Sequence, residues 1–248
     1  MYRKILNINI RSITVNDLLQ QLHKGIVFTP NVDHLVKLQT DDAFYACYKQ
    51  ADWIICDSKI VGIALKFLGN PIAEVIPGAS LFKEFYTYHK KSSDIKIFLL
   101  GAAEGIAKEA QVNINRKVGR EIVVGAHSPS YGFEKNDTEC SEIIDLINNS
   151  GANVLVVGVG APKQEKWIIK YKDKMPAINI FFALGATIDF EAGNIKRAPL
   201  IFQKLCLEWL FRLLKEPRRL WKRYLIDDLP FIGLVIKQKF KLYRNPFS

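Results

Sequence analysis

The sequence predicts an α/β fold: a Rossmann-like, mostly parallel sheet with helices on both faces, followed by a basic helical C-terminal appendage. Three observations predict it. Short apolar runs alternate with helical stretches from Ile26 to Leu184, the pattern of successive β–α units. Several of these runs are continuously apolar, as in VLVVG at Val154–Gly158, so they belong to strands covered on both sides. The charge is also unevenly placed. From Arg197 onward twelve Lys or Arg stand against four Asp or Glu, a net of +8 out of the +10 of the whole chain. The boundary is therefore expected near residue 195, with a core over 1–195 and an appendage over 196–248.

Taken in order, residues 2–10 read as one strand. Thr14 caps a short helix that Gly25 ends. Ile26 to Thr29 is a strand running into Pro30-Asn31, and helical text continues to about Gln50. Trp53 to Cys56 is a strand ending at Asp57, with a helix over about Ser58 to Leu68. Ile76-Pro77-Gly78 turns into a helix over about Ser80 to His89. Ile95 to Leu100 is a strand, Gly101 to Gly105 a loop, and a helix follows to about Val118. A strand over Glu121 to Ala126 precedes a helix over Asp137 to Asn149. Val154 to Gly158 is the most apolar strand. Pro162 after it suits a helix start, where its missing N–H costs nothing. Lys163, Gln164 and Glu165 at that start are expected to face the crevice at the strand ends. Ile178 to Leu184 is the last strong strand. Beyond Pro199 come one helix with a wide apolar face, a second from Pro217 and a third segment from Pro230, whose KQKFKLYR alternates and can be extended.

Hydrophobic residues make up 49% of the 248, enough for a full core. The four cysteines are scattered without CxxC spacing, which implies no metal cluster and a reducing setting. The N-terminus lacks a signal-peptide core, and no run approaches the roughly 20 apolar residues of a spanning helix. The expectation is a soluble or peripheral protein. There is no GxxxxGK[ST], which excludes a P-loop ATPase. GAAEG at Gly101–Gly105 lacks the three-glycine spacing of a dinucleotide fingerprint. No DxD stands at a strand end, so no divalent metal is indicated.

Polar groups recur where strands run into loops: Thr29-Pro30-Asn31, Asp57, Gly101 to Gly105, Gly158 to Gln164, and Gly185 to Asp189. In a parallel sheet these ends share one edge, and together they form a rim suited to a phosphorylated ligand. The Gly101–Gly105 loop can present backbone N–H groups and a helix dipole to a phosphate. Asp57 admits two readings. Desolvated behind WIIC, its carboxyl is raised toward the range of a general base; alternatively it is a helix N-cap. His34 and His23 are expected in ordinary helix surroundings. The tail interleaves Phe211, Trp221, Tyr224, Phe231 and Phe240 with Lys and Arg, a composition that suits nucleic acid, an anionic membrane surface or an acidic partner. The first tail helix is expected to pack on the core and the last two segments to meet the membrane.

In combination the motifs resemble the WecG/TagA/CpsF glycosyltransferases of bacterial cell-envelope polysaccharide and teichoic-acid synthesis. The resemblance covers nearly the whole chain. It rests on Thr29-Pro30-Asn31 with His34, AD-x(4)-D at Ala51 to Asp57, LLGA at Leu99 to Ala102 with Gly105, and GVGAPKQEKW at Gly158 to Trp167. GATIDFEAGNIKRAP at Gly185 to Pro199 and LEWLFRLLKEPRRLWKRYL at Leu207 to Leu225 add to it. It implies an inverting transferase that moves an N-acetylmannosamine-type sugar, or another hexose, from a UDP donor to a sugar on a polyprenyl diphosphate. By resemblance Asp57 is the candidate base, Thr29, Asn31 and Gln164 are polar groups of the pocket, and Asp189 lies near the nucleotide. Ser58, Val75 and Ser80 depart from the family's Gly, Arg and Asp.

The expectation is thus a metal-independent enzyme without cofactor, peripheral on the inner face of the bacterial cell membrane. Its catalytic residues are Asp57, Thr29 and Gln164. Asn31, Gly101, Gly105, Gly158, Pro162, Lys163 and Asp189 bind the donor. Because the core is short of Arg at these loops, Arg212, Arg218, Arg219 and Arg223 are expected to meet phosphate or membrane as the tail closes over the site. The apolar tail can also pack on a neighbouring subunit. Two other classes compete: a nucleotide-sugar epimerase or dehydrogenase, which the missing fingerprint disfavours, and a nucleic-acid module, which leaves the loop motifs unexplained.

Overall fold

A computed structural model describes residues 1–195, 198, 199, 202 and 207–247, with the backbone alone at 212 and 219. The chain opens with an antiparallel hairpin, β1 (Tyr2–Ile5) and β2 (Ile8–Arg11), where one strand is expected. Leu6 turns the chain with φ 50°, and Asn7 anchors the turn by donating to the Leu38 carbonyl. The main sheet is formed by β3 (Gly25–Phe28), β4 (Trp53–Ile54), β5 (Ile97–Gly101), β6 (Val123–His127), β7 (Val154–Gly158) and β8 (Ile180–Ala183). All neighbours are parallel, in the order β4-β3-β8-β7-β5-β6.

Each strand feeds two cores because successive side chains point to opposite faces. Ile26 and Phe28, Phe98 and Leu100, Leu155 and Val157, and Phe181 and Ala183 pack on one side. There they meet α2 (Val32–Lys37), α3 (Asp42–Tyr48), α4 (Lys59–Phe67), α7 (Asp137–Asn149) and α8 (Lys163–Tyr171). Val27, Ile97 and Leu99, Val154 and Val156, and Ile180 and Phe182 pack on the other. Their partners are α1 (Val15–Gln21), α5 (Gly78–Tyr88), α6 (Ile106–Val118) and α9 (Thr187–Ala192). The single helix expected to run to Gln50 is divided into α2 and α3. The Asp41 carboxylate accepts the Phe44 N–H (2.9 Å), which caps α3 and starts it afresh.

In the tail lie α10 (Glu208–Lys215), α11 (Pro217–Lys222), a π-helical turn over Arg223–Asp227, and α12 (Pro230–Lys239). The last of these packs on the core. Phe231 and Val235 are buried in the first cluster, and Gln238 Oε1 accepts the Leu6 N–H (2.7 Å). Beyond it Tyr243 donates to Gln39 Oε1 (2.6 Å), and Phe247 stacks on Tyr45 at 5.3 Å. KQKFKLYR is therefore the end of a helix and a turn, not an extended segment. Within it Tyr243 packs against the first core cluster while Phe240 is exposed. Leu214, Trp221, Leu225, Ile226, Leu229 and Ile232 stay exposed.

The carboxyl ends of β5, β7 and β8 touch backbone to backbone. A Cβ on Gly101 would meet the Gly158 carbonyl oxygen at 2.5 Å, and one on Gly158 would meet that of Gly185 at 2.7 Å. Gly101 also has φ +142°, which L side chains rarely adopt. Gly101→Ala should cost about 3 kcal/mol or more, against about 1–2 kcal/mol for Gly69→Ala, whose φ is positive but whose surroundings are open. Urea unfolding of both variants checks this; equal losses would show that the strand ends have room.

Candidate active site

The loops leaving β3, β4, β7 and β8 converge on one cleft of about 1270 Å³. It lies at the carboxyl edge, where open α/β sheets bind ligands. The tail forms its remaining wall with Trp209, Arg223, Tyr224, Asp228, Leu229, Phe231 and Ile232.

Past β3, Thr29 is buried and Asn31 caps α2, its Oδ1 accepting the His34 N–H at 3.2 Å. Arg223 Nη2 reaches the same oxygen at 3.4 Å and the Asp33 carboxylate at 3.6 Å. Past β4, Asp57 is half-buried, and its Oδ1 accepts the Gly78 N–H at 2.6 Å. The N-cap of α4 is Ser58, which makes no side-chain cap bond. Asp57 therefore caps the first turn of α5 rather than its own helix. A Cβ on Gly78 would lie 3.1 Å from Thr29 Oγ1 and 3.5 Å from Asp57 Oδ1, so both side chains flank this glycine. Past β8, Asp189 lines the cleft from α9 and accepts from Asn194 Nδ2 at 3.4 Å.

Past β7, Gly158 and Lys163 line the cleft. The Lys163 ammonium lies 3.3 Å from the Glu134 carboxylate and 4.8 Å from the ring centre of the fully exposed Tyr131. Gln164 also lines the cleft. Its Oε1 accepts the Gly160 N–H (3.2 Å), and its Nε2 donates to Glu165 Oε1 (2.8 Å). Glu165 itself does not face the crevice. It has no exposed surface, and burial pushes its carboxyl up to about 7. Three consecutive residues of a helix at 3.6 per turn span about 200° and cannot share one face. His34 is likewise no ordinary helix histidine. Its Nδ1 is 2.7 Å from the Tyr48 hydroxyl and 4.0 Å from Glu165 Oε1, and burial lowers it to about 3.

The cleft thus gathers Thr29, Asn31, Asp57, Gly158, Lys163, Gln164, Asp189 and Arg223. Other predicted residues stand apart from its lining. Gly101 packs strand ends, and Ala102 lines the cleft in its place. Gly105 precedes α6 in a left-handed conformation, Pro162 precedes α8, and Arg218 is exposed on α11. The side chains of Arg212 and Arg219 lie outside the described residues. Sequence reasoning passed over Asp33, Tyr131 and Asp228, whose carboxyl burial pushes up to about 6, and it placed Glu165 in the crevice rather than behind it. Only the helical period could have flagged Glu165. Ser58, Val75 and Ser80, the departures from the family pattern, all line the cleft. Among the described residues, no three His, Cys, Asp or Glu side chains gather as metal ligands.

Glu165 gives the fold a pH dependence. Its carboxyl holds a proton more firmly folded than unfolded, so its contribution to stability is fully present below about 4.5 and lost as pH rises through about 7. Glu165→Gln does not titrate. Its stability relative to the native protein should rise between those values and level off above them, as thermal melts across pH would show. A constant difference would place the group outside this window.

The sequence model of the glycosyl transferase WecG/TagA/CpsF family matches residues 3–245. Two similar curated relatives come from Staphylococcus aureus, strains MW2 and NCTC 8325 / PS 47. Each is 29% identical over 235 residues, covering 94% of this chain and 87% of its own. Both carry the name N-acetylglucosaminyldiphosphoundecaprenol N-acetyl-beta-D-mannosaminyltransferase.

Proposed function

For a chain that belongs to the WecG/TagA/CpsF family of glycosyl transferases, we propose that the cleft moves an N-acetylmannosamine-type hexose from a UDP-sugar to the sugar of a polyprenyl-diphosphate-linked acceptor. The observation that carries this reading is Asp57. Its carboxylate is held on the Gly78 N–H at 2.6 Å, beside Thr29, in a cleft that Arg223 of the tail also lines. A single in-line displacement needs one positioned base.

As the acceptor oxygen bonds to the anomeric carbon, its proton passes to Asp57. The bond from that carbon to the β-phosphate oxygen breaks, and UDP leaves with the electron pair. The anomeric centre inverts once, with no metal in the step. Arg223 and the N–H groups of the Gly158–Gln164 loop stabilise the charge that develops on the diphosphate. Asn31 and Gln164 orient the sugars, and Asp189 lies on the nucleotide side. The β linkage in the relatives' printed name agrees with a single inversion.

The acceptor explains the appendage. Exposed Leu225, Ile226, Leu229 and Ile232 stand at or near the cleft, among basic residues. Apolar side chains beside Lys and Arg suit an anionic headgroup layer, to which each basic residue adds about 1 kcal/mol. No helix of the described residues is long and apolar enough to cross a membrane. The enzyme accordingly works as a peripheral protein on the inner face of the membrane.

UDP release from a panel of UDP-sugars, with a polyprenyl-diphosphate-GlcNAc analogue and with or without EDTA, tests the reading. It predicts acceptor-dependent release from one donor, unaffected by EDTA; release that EDTA abolishes would overturn the metal-free step. Asp57→Asn should leave UDP affinity nearly intact and lower turnover by about 100-fold or more. Unchanged turnover would remove Asp57 as the base. Arg223→Ala should weaken UDP binding by about 10-fold or more, the loss of one charge-assisted contact, measured by calorimetry.

A further inference from the structure

We infer that Glu165 is a positioning residue: from the buried side of α8 it fixes the orientation of the Gln164 amide in the cleft wall. The role of Gln164 in transfer rests on the reading above; the clamp itself rests on geometry. Glu165 is fully buried, and its Oε2 has no hydrogen-bond partner. The nearest ionisable nitrogen is His34 Nδ1 at 4.0 Å, on a ring that burial keeps neutral. Ion pairing therefore does not account for a carboxyl at this position, where burial is costly.

Its one short contact does. The Gln164 amide carries an oxygen that accepts and a nitrogen that donates, and the side chain can turn to exchange them. Gly160 N–H lies at one end (3.2 Å) and Glu165 Oε1 at the other (2.8 Å). The Gly160 N–H can only donate, so the amide oxygen must face it and the NH2 falls to Glu165 Oε1 as acceptor. The reversed amide would set its NH2 against an N–H and its oxygen against a carboxyl oxygen. On its other side Glu165 packs beside His34 of α2, whose Nδ1 lies 4.0 Å away, beyond hydrogen-bond reach, and pairs instead with the Tyr48 hydroxyl at 2.7 Å. The His34 N–H in turn holds the Asn31 side chain at 3.2 Å. Glu165 therefore holds the amide from behind the cleft, and its loss frees the amide without removing any group from the cleft.

The test compares Glu165→Leu, Glu165→Gln, Gln164→Ala and the double variant Gln164→Ala/Glu165→Leu in the full chain. Glu165→Leu is expected to lower kcat by about 10-fold or more with the donor KM nearly unchanged. Glu165→Gln, whose amide oxygen still accepts from Gln164, restores most of the loss. The double variant is no slower than Gln164→Ala alone, because Glu165 acts through Gln164. Full turnover in Glu165→Leu, or losses that multiply in the double variant, would overturn the assignment. A second readout needs no turnover. In 15N-labelled native protein the Gln164 side-chain amide protons should be widely separated in shift and slow to exchange, and in Glu165→Leu they should collapse to free-glutamine positions. Free-glutamine positions in the native protein would refute the clamp, even if Glu165→Leu does not fold. Protected amide signals without turnover of any donor would refute the transfer reading and leave the clamp standing.

Discussion

The backbone contact of Gly101, Gly158 and Gly185 sets the rest of the site. Three strand ends lie so close that a single methyl on Gly101 or Gly158 would press on a carbonyl oxygen at 2.5 or 2.7 Å. Because β5, β7 and β8 come together there, the loops beyond them begin at nearly one point and spread around one cleft. Ala102 N–H donates to the Gly158 carbonyl (3.3 Å) and Ser128 Oγ to that of Gly101 (3.2 Å), so the loops start from a fixed frame. A side chain at these positions would separate the walls that hold Gln164 and Asp189.

Within that frame the cleft is richer in carboxylates than in cations. Among the described residues Asp33, Asp57, Glu74, Glu84, Glu134, Asp189, Glu208, Glu216 and Asp228 line it, against Lys37, Lys59, Lys163 and Arg223. Lys37 is bound to Asp33 at 2.8 Å and Lys163 lies against Glu134. The cation that reaches Asn31 comes from the tail. Val75, where the family commonly has Arg, packs with the first core cluster. The two facts fit together: where the core offers an aliphatic side chain, the appendage brings a guanidinium. The uneven charge of the chain thus has a local expression, a guanidinium of the basic tail reaching Asn31 at the cleft of a nearly neutral core.

Behind the polar walls lies a layer of buried titratable groups in contact: Glu165, His34 and Tyr48. Burial raises Glu165 and Tyr48 and lowers His34, which pushes all three toward neutrality. A layer of neutral, directional donors and acceptors holds side chains in orientation without a strong field of its own. Such a support suits the reaction proposed for this cleft, one proton transfer and one in-line displacement.

The sequence by itself determined the strands, their parallel arrangement, the helices on both faces and the polar strand ends, because continuous apolar runs and helical periods are local signals. It also marked Thr29, Asn31, Asp57 and Gln164, which sit directly beside strand ends and meet wherever parallel strands pair. The break at Asp41 is a local cap only three residues from its partner Phe44, whereas the hairpin at Leu6 and the cap that Asp57 gives to α5 were decided by side chains bonding to backbone elsewhere, which no window of sequence displays. The same holds for the tail. Basic and aromatic text reads alike whether it meets lipid or core, and only the packing of Phe231 and Val235 and the stack of Phe247 on Tyr45 separated the two. Glu165 is the sharpest case. In sequence it adjoins Gln164 and shares its polarity, but one residue along a helix is about 100° of rotation. Tertiary structure alone decided that one faces the cleft and the other the core.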